Sequence, residues 1–152
     1  MELILWRHAD AEDGRPDAKR KLTPKGLSDA KLTAAWLKKH LPAEYRLLVS
    51  PATRTQQTAK TLSATFETRE ELGSEASPSS ILRCVDWPKG KEVVVVVGHQ
   101  PTLGQLVCRL LCERQGEFSI KKSAVWWLAS RERDSVNVVL KAVIAPELFE
   151  QG

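Results

Sequence analysis

Short apolar runs alternate with amphipathic stretches along this chain of 152 residues. Leu3-Ile4-Leu5-Trp6 is apolar throughout and predicts a buried strand over residues 2–6. Residues 9–22 are polar and charged, broken by Gly14 and Pro16, and read as a loop. Thr23-Pro24 has the form of an N-cap followed by proline in the first helical turn. Leu27, Ala30, Ala34, Leu37 and Leu41 then recur at helical spacing, and the helix should end near Leu41-Pro42. Residues 46–49 make a second strand. Ser50-Pro51 repeats the cap-plus-proline pattern, with Ala52, Thr55, Ala59, Leu62 and Phe66 as the inner face of the next helix. A short strand is expected near 67–69, a loop rich in Gly, Ser and Pro over 73–80, and a short helix over 79–87.

Residues 93–97 are five consecutive valines, the pattern of a central strand covered on both faces. Pro101 opens a further helix with Leu103, Leu106, Val107, Leu110 and Leu111 facing inward and Gly116 past its end. Two last strands, over 124–129 and 136–143, flank the polar turn 131–134 as a hairpin. Trp126-Trp127 places successive indoles on opposite faces of the first of these. Alternating strands and helices imply an α/β fold: a three-layer sandwich with a mostly parallel sheet and helices on both faces. The length suits a single domain spanning residues 1–152.

Composition narrows the class. A net charge of +4, from 23 basic and 19 acidic residues, suits an anionic ligand such as phosphate. It lacks the dense basic stripe of a nucleic-acid binder. No apolar stretch reaches transmembrane length, and Arg7 interrupts the first apolar run, so neither a membrane span nor a secretory signal is expected. Three cysteines without a disulfide-framework spacing favour a reducing compartment, and the expected location is cytoplasmic. The chain has no phosphate loop of the G-x-x-x-x-G-K-[ST] type, no G-x-G-x-x-G, no H-E-x-x-H and no G-x-S-x-G.

Chemistry gathers instead at predicted strand ends. Arg7 and His8 follow the first strand, Arg54 lies just beyond the second, and His99 follows the valine run. Ligands of open α/β sheets bind outside the carboxyl ends of the strands, so these four residues are expected to share one site. Arginine donors match phosphate oxygens in a bidentate way. A neutral His8 imidazole beside Arg7 is a competent nucleophile toward phosphorus, and His99 is placed to stabilise charge on the phosphoryl oxygens. Two arginines supply the positive charge, so no metal or organic cofactor is expected.

These residues resemble a known family. Leu5-Trp6-Arg7-His8-Ala9 is similar to the Arg-His-Gly motif of the histidine phosphatase superfamily, which includes phosphoglycerate mutases. The stretch from Leu48 through Ser50-Pro51-Ala52-Thr53-Arg54 to Ala59 is similar to its second block, and Val97-Gly98-His99-Gln100-Pro101 to its third. Within the superfamily, Asp17 to Gly26 resembles the corresponding segment of the SixA-type phosphohistidine phosphatases. The resemblance implies a phosphoglycerate mutase-like fold, a phosphohistidine intermediate on His8, and Arg20 as a further phosphate ligand beside Arg7, Arg54 and His99.

Two positions depart from the family pattern. Ala9 replaces the motif glycine, so the turn after His8 must adopt an ordinary backbone or carry strain. No carboxylate stands out as general acid; Glu71 and Asp17 are the candidates. Phosphohistidine on a protein is the expected substrate, because its imidazole leaves without a strongly basic alkoxide forming. The resemblance points to a phosphotransfer protein as partner. The alternatives are a phosphatase of a small phosphorylated metabolite using the same mechanism, and a non-catalytic phosphate-binding module.

Overall fold

A computed structural model describes residues 1–131 and 137–149. Its centre is a six-stranded sheet: β1 (Glu2–Arg7), β2 (Arg46–Val49), β3 (Glu67–Thr68), β4 (Val93–Gly98), β5 (Val125–Ser130) and β6 (Val138–Ile144). The spatial order is β3-β2-β4-β1-β5-β6. β4 lies between β1 and β2 and runs parallel to both, and β3 extends the parallel part beside β2. β5 is antiparallel to β1, and β6 to β5, so the sheet is mixed, with its parallel part in the half that carries His8, Ser50 and His99.

The two-residue alternation of the strands sorts side chains onto two faces. Leu3, Leu5, Leu48, Val94, Val96 and Leu128 face one way. They pack with Ile81 of α3 (Pro78–Cys84) and Leu103, Leu106 and Val107 of α4 (Thr102–Cys112). Ile4, Trp6, Val49, Val95, Val97 and Trp127 face the other way. They meet Ala30, Ala34 and Leu37 of α1 (Pro24–His40) and Ala59 of α2 (Thr53–Lys60). The result is three layers, with β4 covered on both sides as its valine run predicts.

Local chemistry moves several predicted boundaries. α1 begins as expected, its first turn capped by Thr23 accepting from the Gly26 N–H. Leu27, placed on the inner face by its spacing, is 40% exposed. The buried face runs instead through Gly26, Ala30, Thr33, Ala34 and Leu37. Gly26 fixes that rotation: a Cβ there would sit 2.0 Å from the Asp10 carbonyl oxygen. α2 ends at Lys60, so Leu62 and Phe66 lie beyond it. The Thr61 hydroxyl donates to the Thr58 carbonyl at 2.6 Å and competes with the helical ladder. α3 starts earlier than predicted, at Pro78, because Ser77 and Ser80 form a reciprocal capping box.

The terminal hairpin has the expected pairing, with a register shift between Trp127 and Leu128. Its predicted turn lies outside the described residues from position 132 on, as does Val136. Trp127 is buried, donates to Glu2 Oε1 at 2.8 Å and meets Trp36 edge-on. Trp126 on the opposite face packs against Phe118, with ring centroids 5.4 Å apart. None of the described helices is long and apolar enough to cross a membrane.

Gly26→Ala is expected to lower the free energy of unfolding by about 1–3 kcal/mol, because backbone on both sides must shift. Gly73→Ala should cost less, since the nearest atom to its added Cβ is a carbonyl oxygen at 3.3 Å. Urea denaturation measures both, and an unchanged Gly26→Ala midpoint would contradict the close approach.

Candidate active site

Parallel pairing sets three strand ends side by side. Arg7 is in register with Gly98, and Val49 with Val97. Beyond the strands the ladder continues: the His8 N–H donates to the Gly98 carbonyl at 3.1 Å and the Ser50 N–H to the Val97 carbonyl at 3.2 Å. Backbone hydrogen bonding thus fixes His8, Ser50 and His99 next to one another before any side-chain contact is made. The His8 and His99 ring centroids are 5.4 Å apart.

Each side chain is held individually. His8 Nδ1 lies 2.8 Å from the Ala9 carbonyl oxygen. A carbonyl only accepts, so the ring proton sits on Nδ1 and Nε2 keeps its lone pair. The Ala9 N–H donates to Thr58 Oγ1 at 3.1 Å. Ala9 is fully buried and is not among the positive-φ residues, so the turn after His8 has an ordinary backbone. Arg7 Nη1 donates to the Ile120 carbonyl at 2.8 Å. Arg54 donates to the Asp17 carbonyl and carboxylate, and its Nη2 lies 3.3 Å from His99 Nδ1. The Nε atoms of Arg7 and Arg54 are both buried without a partner among the described residues.

Burial beside this positive charge governs the titration. Desolvation first, then the neighbouring His99, Arg54 and Arg7, push the His8 pKa down from 6.5 to about 3, against the opposing hydrogen bond to the Ala9 carbonyl. Desolvation, then Arg54, push His99 down to about 4, against a smaller opposing effect of Asp17. Both rings are therefore neutral at pH 7. Burial also lowers the Arg7 pKa, but arginine starts so high that it stays charged.

The remaining predicted residues take outer positions. Arg20 donates to the Glu12 carbonyl and to Asp17 Oδ1, and among the described residues it joins the cluster only through Asp17. Asp17 bridges Arg20 and Arg54, with its pKa held below the ordinary range first by the Arg20 hydrogen bond. Its side chain is 61% exposed, so these pairs add little stability; what they fix is geometry. Glu71 is exposed and paired with Arg69 at 2.6 Å, which lowers its pKa too. Both carboxyls are thus ionised at neutral pH, a state unsuited to proton donation. They line a cleft of ≈ 520 Å³ that shares Asp17 and Ser50 with the histidine cluster. Asp17, Glu70, Glu71 and Glu75 line it, and no lysine or arginine does. A larger cleft of ≈ 900 Å³, near Arg109 and Glu113, contains none of the cluster residues.

Ser50 is the residue that the sequence pattern misassigned. It reads as a helix cap, but α2 starts at Thr53 with no side-chain cap, and Ser50 Oγ lies 2.7 Å from His99 Nε2. Ser-Pro before a helix looks the same in either role; only the distant histidine decides. Among the described residues no three His, Cys, Asp or Glu side chains gather to hold a metal ion.

Comparison with known proteins agrees with this geometry. Residues 3–75 match the family model of the histidine phosphatase superfamily, branch 1. The chain is 33% identical over 120 residues to the phosphohistidine phosphatase SixA of Escherichia coli strain K12, covering 72% of this chain and 74% of that protein. It is 31% identical over 130 residues to a SixA homologue of Haemophilus influenzae, covering 75% and 79%. The solved structure of the protein histidine phosphatase SixA complexed with tungstate superposes with a TM-score of 0.80 at 27% identity, over 96% of this chain and 97% of that one. With its strand-end histidines and arginines in one cluster, the chain belongs to the histidine phosphatase superfamily and is of the SixA type.

Proposed function

We propose that this protein is a phosphatase that removes the phosphoryl group from phosphohistidine on another protein, by way of a phosphohistidine on His8. The observation that carries this reading is the His8 ring: one nitrogen tied to the Ala9 carbonyl, the other bare, beside the buried Arg54 and the partly buried Arg7. His8 Nε2 attacks phosphorus in line while Arg7, Arg54 and His99 hold the phosphoryl oxygens. The bond from phosphorus to the substrate imidazole breaks as the bond to His8 forms. An imidazole already protonated on its other nitrogen leaves as a neutral molecule. Water then attacks phosphorus, the bond to His8 breaks, and phosphate departs with the water protons. Preorganised charge and positioning carry such a transfer. Arg20 serves as an outer cation that meets the phosphoryl group when Asp17 yields.

Two features favour a protein phosphohistidine over a small phosphate ester. An alkoxide leaving group needs a proton, and the two candidate carboxyls, Asp17 and Glu71, are held ionised by arginines. The cleft beside the site is open and lined by four carboxylates, which opposes metabolites carrying a second negative group. The reading resembles what the names of the SixA relatives state of those proteins.

Replacing the nucleophile tests the mechanism. His8→Ala is expected to lower turnover of a phosphohistidine protein by on the order of 10³-fold or more. Label from such a substrate should be trapped on the wild type and be absent from the variant. Faster turnover of sugar phosphates than of the phosphohistidine protein would reject the substrate class. Binding of phosphate with no turnover of any substrate would reject catalysis.

The pH profile follows from the charge state. Protonation removes the His8 lone pair, and its pKa of about 3 lies far below the ordinary 6.5. For p-nitrophenyl phosphate, kcat/KM corrected for substrate ionisation should therefore stay level from about pH 8 to 5. An acid limb near pH 6.5 that disappears on replacing His99 would contradict the neutral-histidine arrangement.

A further inference from the structure

The two ring nitrogens of His99 have competing neighbours. Nε2 lies 2.7 Å from Ser50 Oγ, and Nδ1 lies 3.3 Å from Arg54 Nη2. Ser50 is 0% and His99 4% exposed, so water does not settle the contest. A neutral imidazole carries one ring proton, and its place decides what the ring offers a ligand.

Consider the proton on Nε2. Ser50 Oγ then accepts from the ring, and it also accepts from the Ala52 N–H at 3.3 Å. The hydroxyl proton of Ser50 is left without an acceptor among the described residues, a costly state for a buried group. Now consider the proton on Nδ1. Ser50 accepts from Ala52 and donates to Nε2, and every group on that side is satisfied. On the other side, His99 Nδ1–H and Arg54 Nη2–H stand 3.3 Å apart as two donors with no acceptor between them. Donors so spaced can share one anionic oxygen at hydrogen-bonding distance from each.

We infer that Ser50 is a positioning residue whose hydroxyl holds neutral His99 in the Nδ1–H tautomer, so that His99 and Arg54 donate to the same phosphoryl oxygen. The inference rests on the phosphate-binding role proposed for His99, and it concerns the ring with an anion held by His99 and Arg54, because without one the Arg54 guanidinium donates to a bare Nδ1. Without the Ser50 hydroxyl, Arg54 is the remaining neighbour that selects a tautomer. It favours a bare Nδ1 as acceptor, which turns a lone pair toward the phosphoryl oxygens. Acid restores the donor, because the imidazolium carries protons on both nitrogens. The charged and titratable groups that act on His99 are Arg54 from α2, Arg7 and His8 from the end of β1, and Asp17 from the loop before α1.

The chain has three histidines, so nitrogen-15 NMR of the labelled rings resolves the question, with His99→Gln to assign the signals. At pH 7 with inorganic phosphate bound, the wild type should show His99 protonated on Nδ1 and bare on Nε2. Ser50→Ala should reverse this. Its affinity for inorganic phosphate should fall about tenfold at pH 7, and by a smaller factor at pH 4, where the ring begins to take up a proton. A phosphate-bound wild-type His99 protonated on Nε2 overturns the inference, whether or not Ser50→Ala folds. So does a variant that keeps the wild-type tautomer, or one whose loss of affinity does not change with pH. Failure of the phosphatase reading shows separately, as the absence of labelled phosphoenzyme on His8 in the wild type.

Discussion

The parallel register of β2, β4 and β1 is the constraint on which the rest depends. Three strands of similar length end in one row, and the hydrogen-bond ladder runs one residue past them, through the N–H groups of His8 and Ser50. The residue after each strand therefore points into the same space. Slipping any of these strands by one residue would exchange the side chains that it gives to the two core layers. The cost would fall on side chains such as Trp6 and Val95, which are fully buried. Packing of the two core layers thus defends the geometry of the site, although no core residue takes part in the chemistry.

Placing two arginines and two histidines at one sheet edge produces excess positive charge in a half-dry environment. The molecule meets this in two ways. Both imidazoles stay neutral, since desolvation and the guanidinium groups oppose their protonation. Asp17 supplies a carboxylate to Arg54 and Arg20 from an exposed loop position. That carboxylate is solvated and held by surface pairs, so an incoming phosphoryl group can compete with it. The guanidinium Nε atoms of Arg7 and Arg54 find no partner among the described residues. Buried donors left incompletely satisfied suit the anion site proposed here, an arrangement that elsewhere would only destabilise a fold.

Close backbone approaches anchor the loops around the site. Gly26 lets the Asp10 backbone lie on the first turn of α1, and Gly104 lets the Phe118 carbonyl lie on α4. In both places a Cβ would stand 2.0 Å from a carbonyl oxygen. The first contact carries the segment that follows Ala9. The second carries the segment whose Ile120 carbonyl receives Arg7. Neither glycine breaks its helix, and neither stands out in the hydrophobic pattern.

Much of the molecule was legible in the chain because the relevant forces are local or periodic. The valine run marked the central strand, Thr23-Pro24 marked the start of α1, and the strand-end positions of Arg7, His8, Arg54 and His99 brought them into one site. Contacts between distant segments were not legible. The rotation of α1 that exposes Leu27 depends on Asp10. The role of Ser50 depends on a histidine 49 positions away. The ionised state of Asp17 and Glu71 depends on which arginines reach them. Sequence by itself determined which residues can do chemistry and at which strand ends they stand, because side-chain periodicity and turn chemistry are short-range properties. Tertiary structure alone decided the charge states, the hydrogen-bond partners and the tautomers, because these follow from burial and from groups that only folding brings within a few ångströms.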